Sequence, residues 1–383
     1  MSKLESKTYW PYISAGYLCL FALGMMDNAR GPFFPDLIED LQLSDTKASL
    51  FFAVPSLVSF LGSHLTQHFI FKMGTLWTLR GGLLLLAGGF AAIGMAFNFA
   101  SFLLFCAVFG FGLGVVNVAQ NVAIQEGAKP EHRRRLFSGL HSMYAFSSVI
   151  APLVVGPMVK WGMGWRFSFF VFAGVGLLAL VYTVPLKTLP HAPSKSAAST
   201  DDPDQRRHFL YVALMFSAYM VGELLISSRL VLFVRRVHEV SAVNAPFYLA
   251  AFFAFLLAGR LLFTFVHFRH LSNTKIMAGG FLISSASMLA GLFYSPWFLS
   301  LSALGMAPIF GIAMDFVSEI FHKKAVAALA YCMSLSALFI VAMHFVAGVL
   351  TENFSLTTAL LLGPAVHVIG ALLVVGHPYF FKK

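Results

Sequence analysis

Carboxylates and guanidinium groups set inside long apolar runs are the residues of this 383-residue sequence that ask for a chemical role. Asp27 and Arg30 lie three apart in the run 10–34. On a helix that spacing is about one turn, roughly 4.5 Å along the axis, and both side chains share a face. Asp27 can then answer to protons or contact a solute, while Arg30 binds an anion or tunes the carboxyl group. A purely structural bridge would use the same spacing. Glu223, in the run 208–234, has no basic residue three or four positions further on. A carboxyl that is protonated in one state and ionised in another can couple a structural change to protons. Its alternative is a permanently protonated group in an interhelical hydrogen bond.

A second set is polar without being charged. Asn117, Asn121 and Gln125 follow one another at steps of four, with Gln120 beside them, and form a helical ridge of amides. Amides can bind a polar solute by donating and accepting, or they can hold helices together. His141 and Tyr144, three apart, extend that surface; the histidine either titrates near neutrality or packs. Asp315 lies one turn before Glu319, with Arg260 or Lys324 as expected partner, and Arg260 is assigned to a gate. Arg229 either faces an outer vestibule and attracts anions or snorkels. No catalytic residue set emerges. The histidines show no metal-ligand spacing, and the glycine runs lie in apolar stretches rather than in a nucleotide loop, so no metal and no cofactor are expected.

The elements that position these residues follow from composition. Apolar residues make up 58 % of the chain and charged ones 11 %, with a mean hydropathy of +0.80. A soluble domain carries about a quarter charged residues. The net charge of +10 does not point to nucleic acid, because the charges cluster in short segments between apolar runs. Cys19, Cys106 and Cys332 fall inside those runs, which gives no disulfide framework. The first run is too long for a leader's apolar core, and no small-residue cleavage site follows it.

Crossing a hydrocarbon core of about 30 Å takes about 20 helical residues. Twelve runs qualify: 10–34, 48–70, 75–97, 99–125, 137–159, 166–186, 208–234, 243–266, 275–293, 297–319, 325–349 and 355–376. Only helices and closed barrels satisfy every backbone group in lipid, and alternating ten-residue strands are lacking. With the N-terminus inside, the outward segments hold Lys47, Lys160, Arg166, Arg235 and Arg236. Arg30, Arg229 and Arg260 sit within runs, so 26 − 5 − 3 leaves 18 basic residues inside. That asymmetry places both termini in the cytoplasm. The polar segment LPHAPSKSAASTDDPDQRRH at 189–208 reads as a cytoplasmic linker. The expected organisation is a six-helix bundle over 1–188, a linker over 189–207 and a second six-helix bundle over 208–383.

Twelve helices split six and six resemble the major facilitator superfamily, and short segments carry the likeness further. GSHLTQHFIFKMG at 62–74 resembles the family's loop between helices two and three, keeping Gly62, Gly74 and Lys72 but holding Thr66 in place of its aspartate. Gly259 and Arg260 resemble the same motif in the second half. GFGLGVVNVAQNVAIQE at 110–126 is similar to the fourth helix of the fucose:proton symporter group, with Asn117 where those symporters carry an acid. YMVGELLISS at 219–228 and PIFGIAMDF at 308–316 resemble that group's seventh and tenth helices. Gly24, Asp27 and Arg30 are loosely echoed by Gly222, Glu223 and Arg229.

The resemblance implies an all-α polytopic membrane protein whose twelve transmembrane helices form two pseudosymmetric bundles around a central site open to each side in turn. It implies a secondary transporter of a small polar solute, an organic anion or a sugar, coupled to protons by alternating access. The competing expectation is proton-driven efflux of amphipathic drugs or metabolites, with the 42 phenylalanines lining an adaptable cavity. Either way the partners are a small-molecule substrate, protons and the lipid bilayer, with no nucleic acid. The protein is expected to be a functional monomer in the plasma membrane, the inner membrane if the source is bacterial.

Overall fold

Helix after helix follows the apolar runs in the computed structural model, which describes residues 8–189, 203–266 and 271–380. The long helices are α1 (Trp10–Asp40), α2 (Asp45–Met73), α3 (Thr75–Gly94), α4 (Phe99–Gly127), α5 (Arg133–Lys160) and α6 (Trp165–Thr183). They continue with α7 (Pro203–Arg236), α8 (Ala245–Phe265), α9 (Asn273–Phe293), α10 (Trp297–Phe321) and α11 (Ala325–Asn353). The final run is divided into α12 (Leu356–Leu360) and α13 (Leu362–Phe380). Among the described residues, 11 helical spans are long and apolar enough to cross a membrane, the run Leu356–His377 counting as one. α1 lies outside that set, and it is the helix that carries Asp27 and Arg30.

The boundaries differ from the sequence expectation where local chemistry overrides hydropathy. α1 runs to Asp40 through Pro32 and Pro35, which a buried membrane helix tolerates when its neighbours satisfy the freed backbone groups. α2 starts at Asp45, an acid in its first turn that complements the helix dipole. α7 starts at Pro203, so the last residues of the expected linker 189–207 are helical. Residues 190–202 of that linker lie outside the described residues, as do Lys3, Lys7, Arg269, Lys382 and Lys383. The single expected helix 355–376 is interrupted at Leu361, and Ser355 caps the first piece by accepting from the Thr358 backbone N–H.

The described helices divide into two compact units. One groups α1, α3 to α6 and α2 from Leu50 onward; the other groups Ser44–Ser49 with α7 to α13. In the first, α1 packs on α4, α5 and α6, and α3 packs on α4 and α6. Small residues permit the close approaches, as expected where lipid offers no hydrophobic drive between helices. A Cβ at Gly89 would collide with the backbone of Phe109, and one at Gly112 with that of Leu86. In the second unit α7 packs on α11 and α13, and α10 packs on α8 and α9. There Gly280 and Gly305 let α9 and α10 touch backbone to backbone.

Two arginines cap helix ends whose last carbonyls have no helical partner. Arg80 donates to the carbonyls of Thr183, Val184 and Leu186 at 2.6, 2.9 and 3.0 Å, ending α6. Arg166 donates to Gly94 and Ala96 at 3.1 and 2.6 Å, ending α3, and pairs with Asp40 at 2.8 Å. Between α2 and α3, Gly74 has φ +83°, a conformation that other residues adopt only under strain. Thr66 gives its hydroxyl to the Gly62 carbonyl at 2.7 Å and is fully buried. It therefore serves its own helix, where an aspartate would have offered a charge.

Candidate functional site

In the first unit the helical spacing of Asp27 and Arg30 brings carboxylate and guanidinium into direct contact through Oδ1 and Nη2. Arg30 also donates through Nη1 to the Phe51 carbonyl at 3.1 Å and through Nε to the Asp27 carbonyl at 3.3 Å. Its Cζ lies 5.6, 5.1 and 5.3 Å from the ring centroids of Phe51, Phe52 and Phe109. A guanidinium over aromatic faces keeps part of the stabilisation it loses on leaving water. The other carboxylate oxygen of Asp27 accepts from the Tyr144 hydroxyl at 3.0 Å, which joins α1 to α5. One residue on, Asn28 donates to Gly24 O at 2.8 Å and to Ser148 Oγ at 3.0 Å. Asp27 is thus held by Arg30 and Tyr144, one on each carboxylate oxygen, with 20 % of its side chain exposed against 9 % for Arg30.

The α4 amides divide by burial. Asn117 and Gln125 are exposed and Asn121 is half-buried, whereas Gln120 is fully buried. Asn121 donates to the Asn117 carbonyl at 2.6 Å, and Gln120 Nε2 lies 3.5 Å from Asn117 Oδ1. Gln120 Oε1 is buried with no hydrogen-bond partner among the described residues. His141 is exposed on α5, one turn before Tyr144.

The second unit corrects the expected isolation of Glu223. Tyr219, one turn earlier on α7, donates its hydroxyl to Glu223 Oε2. Arg260 of α8 places Nη2 3.9 Å from that same oxygen and donates to the Tyr219 hydroxyl at 3.0 Å. Phe310 of α10 lies 5.9 Å from the Arg260 Cζ and 6.0 Å, ring to ring, from Tyr219. The reason is geometric: α8 packs on α7 and α10, so Arg260 reaches α7 from a neighbouring helix and needs no place in the local spacing. Arg260 therefore does not take the expected place beside Asp315, which is exposed on α10.

Arg229 also departs from expectation. It neither opens to a vestibule nor snorkels, being only 2 % exposed. Its Nη1 lies 3.1 Å from His344 Nδ1 and 3.2 Å from Ser228 Oγ, and its Nη2 donates to the His344 carbonyl at 3.0 Å. Arginine only donates, so His344 accepts through Nδ1 in this arrangement. The loose echo of Arg30 by Arg229 fails for the same reason: Arg260 is the guanidinium beside Glu223.

Each unit thus carries its own half-buried set of one carboxylate, one guanidinium and one phenol: Asp27, Arg30 and Tyr144 in the first, Glu223, Arg260 and Tyr219 in the second. Such sets can exchange a proton for a cationic or anionic contact, because neutralising the carboxyl group releases the guanidinium. Sequence reasoning missed Tyr219, His344, Asn28 and the rings of Phe51, Phe52 and Phe109. Tyr219 had a signal, standing four residues before Glu223 on one helical face. The others meet their partners across helices.

The sequence model of the Major Facilitator Superfamily matches residues 16–340. Among curated proteins, the hexuronate transporter of Bacillus subtilis is 24 % identical over 228 residues, covering 53 % of this chain and 52 % of that protein. Bypass of stop codon protein 6 of Saccharomyces cerevisiae is 27 % identical over 177 residues, covering 44 % and 34 %. The matched part of the chain thus spans about half and about a third of the length of these two relatives. The solved structure of a D-xylose–proton symporter superposes with a TM-score of 0.75 at 15 % identity, covering 96 % of this chain and 97 % of that one. A bacterial homologue of the human lysosomal transporter Spinster gives 0.74 at 15 % identity, covering 98 % and 96 %.

Proposed function

The chain belongs to the Major Facilitator Superfamily and is a membrane transporter rather than an enzyme, and from that premise we propose that it moves a small polar solute by proton-coupled alternating access. The observation that carries this reading is the pair of carboxylate–guanidinium–phenol sets, one in each unit. Two ionisable clusters inside membrane helices are costly, and their desolvation is understandable if a charge must be taken up and given back during each cycle. Glu223 is the better proton carrier of the two carboxylates. Its arginine stands 3.9 Å away, whereas Arg30 is in direct contact with Asp27. Protonating Glu223 frees Arg260 to meet an anionic solute, and releasing the proton draws Arg260 back.

The solute class this chemistry favours is an organic anion or a sugar. A sugar acid unites the two, with a carboxylate for a guanidinium and hydroxyls for amides such as Asn117 and Asn121. The name of the Bacillus subtilis relative supports that choice. We place both termini and the linker 189–207 in the cytoplasm, the two bundles at 1–188 and 208–383, and the protein in the plasma membrane as a functional monomer. His141, Gln120 and Asp315 belong to this proposal as further polar contacts of the pathway.

The test is proton movement in proteoliposomes. Purified protein is challenged with inward gradients of glucuronate, xylose or a cationic amphiphilic dye, and the internal pH is followed. Saturable acidification with glucuronate or xylose supports the reading. Acidification or alkalinisation with the dye alone would replace it by efflux of amphipathic compounds.

A further inference from the structure

Away from the charged sets, the second unit holds a groove of ≈ 370 Å³ whose floor is α7 and whose walls are α11 and α13. Leu214, Ala218 and Val221 form the floor, with Phe339 and Val346 on one wall and Ile369 on the other. Phe339, Val346 and Ile369 are 40, 42 and 53 % exposed, so the groove opens sideways along the helices. Ser217 brings the one hydroxyl to its lining, and that hydroxyl is engaged. It donates to the Ala213 carbonyl at 2.7 Å and lies 2.9 Å from Ser336 Oγ. A polar solute would find nothing to bond there, whereas a hydrocarbon chain would lose nothing.

Length and charge identify the occupant. The α13 wall runs from Leu362 to Leu373, which is about 16 Å at 1.5 Å per residue. Half of a hydrocarbon core of about 30 Å is one leaflet. At the Leu373 end, Tyr211 ties α7 to α13 by donating to the Leu373 carbonyl at 2.7 Å. Beyond it on α7 stands Arg207, which is exposed. Counting about 100° per residue, Arg207 falls within about 40° of Leu214, Ala218 and Val221, and it lies about 10 Å from Leu214 along the axis. Among the described residues, Arg207 is thus an exposed basic side chain on the groove's face of α7, at the headgroup end of a leaflet-long apolar slot.

We propose that this groove holds one acyl chain of an anionic phospholipid whose headgroup sits at Arg207. The acyl chain packs on α7 between the α11 and α13 walls. Occupancy is set by the leaflet at the end where α7 begins and α13 finishes. The proposal depends on the chain spanning a membrane and is independent of the solute and of proton coupling.

The test follows thermal unfolding of the delipidated full-length protein in a neutral detergent. Dioleoyl-phosphatidylglycerol, dioleoyl-phosphatidylcholine and glycerol phosphate are titrated separately. Phosphatidylglycerol is expected to raise the unfolding temperature saturably, at about one-fifth of the concentration phosphatidylcholine needs, the weight of one basic residue at an anionic surface. Arg207→Gln should make the two lipids equivalent, while Arg206→Gln, about 100° away on the helix, should not. Ala342→Trp places an indole in the groove from an exposed position and should abolish the saturable response to both lipids. Equal potency of the two lipids on the unmodified protein would overturn the proposal. So would an unchanged response in Ala342→Trp and Arg207→Gln, or a response to glycerol phosphate equal to that of phosphatidylglycerol, which would mark a site for soluble phosphate.

Discussion

Tyr144 donates its hydroxyl to Asp27 Oδ2 at 3.0 Å across 117 residues of chain, while Arg30 occupies the carboxylate's other oxygen. Breaking one partner of a buried ion pair strands the other, typically at a cost of about 3–5 kcal/mol. Asp27→Asn and Arg30→Gln should each lower stability by an amount of that order. The double variant should recover most of it, because no lone charge remains. Uptake should stay lost, since an amide cannot bind and release the same proton. Unfolding in detergent and uptake in proteoliposomes measure the two separately. Recovery of both would make the pair a structural bridge only.

Glu223→Gln should impair proton-driven accumulation more than solute exchange at equal pH. The amide keeps the shape and can still accept from Tyr219, but it carries no exchangeable charge for Arg260 to follow. Solute-dependent proton movement by the folded variant is the direct measurement. Uptake at the unmodified rate with the same proton-to-solute ratio would remove Glu223 from the coupling step. If Asp27→Asn behaved likewise, neither carboxylate would couple.

Tyr219→Phe removes a hydroxyl that donates to Glu223 and accepts from Arg260 at 3.0 Å. Hydrogen bonds to charged groups are worth about 1.5–3 kcal/mol. Uptake should fall roughly 10- to 100-fold, the rate equivalent of that loss. Tyr248→Phe, on a tyrosine outside both sets, provides the control for aromatic substitution, and equal losses in the two variants would contradict a special role for Tyr219.

Gly222, next to Glu223, is where His367 of α13 fits. A Cβ at position 222 would fall on His367 Nε2, and the ring is fully buried with its edge against Phe281. Gly222→Ala should therefore destabilise by about 1–3 kcal/mol, the usual range for overpacking. His367→Ala should relieve that clash, leaving the double variant more stable than an additive sum of the single changes predicts. Thermal unfolding of the four proteins closes the cycle, and strict additivity would show that the ring and the glycine do not meet.

Single cysteines placed in 129–135 or 189–207 should resist an impermeant external thiol reagent in intact cells. Cysteines beside Lys160 or Arg236 should label. The background is quiet because Cys19, Cys106 and Cys332 are all fully buried. The reverse pattern would invert the orientation, and scattered labelling would question the alternation of the helices.

What the sequence determined by itself was whatever depends on neighbours along the chain. Apolar run length located the helices, because each crossing has to satisfy its backbone internally. Helical spacing joined Asp27 to Arg30, since residues three apart share a face whatever surrounds them. Composition and those runs identified the membrane class before any fold was known. The partners of the charges were another matter. Spacing along α7 gives Glu223 no cation because its guanidinium, Arg260, comes from α8, and Tyr144 reaches Asp27 from α5. Position in its run offers Arg229 a vestibule or a snorkelling role, whereas His344 of α11 encloses it from 115 residues away. A charge that leaves water takes its partner from whichever helix packs against it. That choice is made by packing between distant segments, and local periodicity carries no record of it.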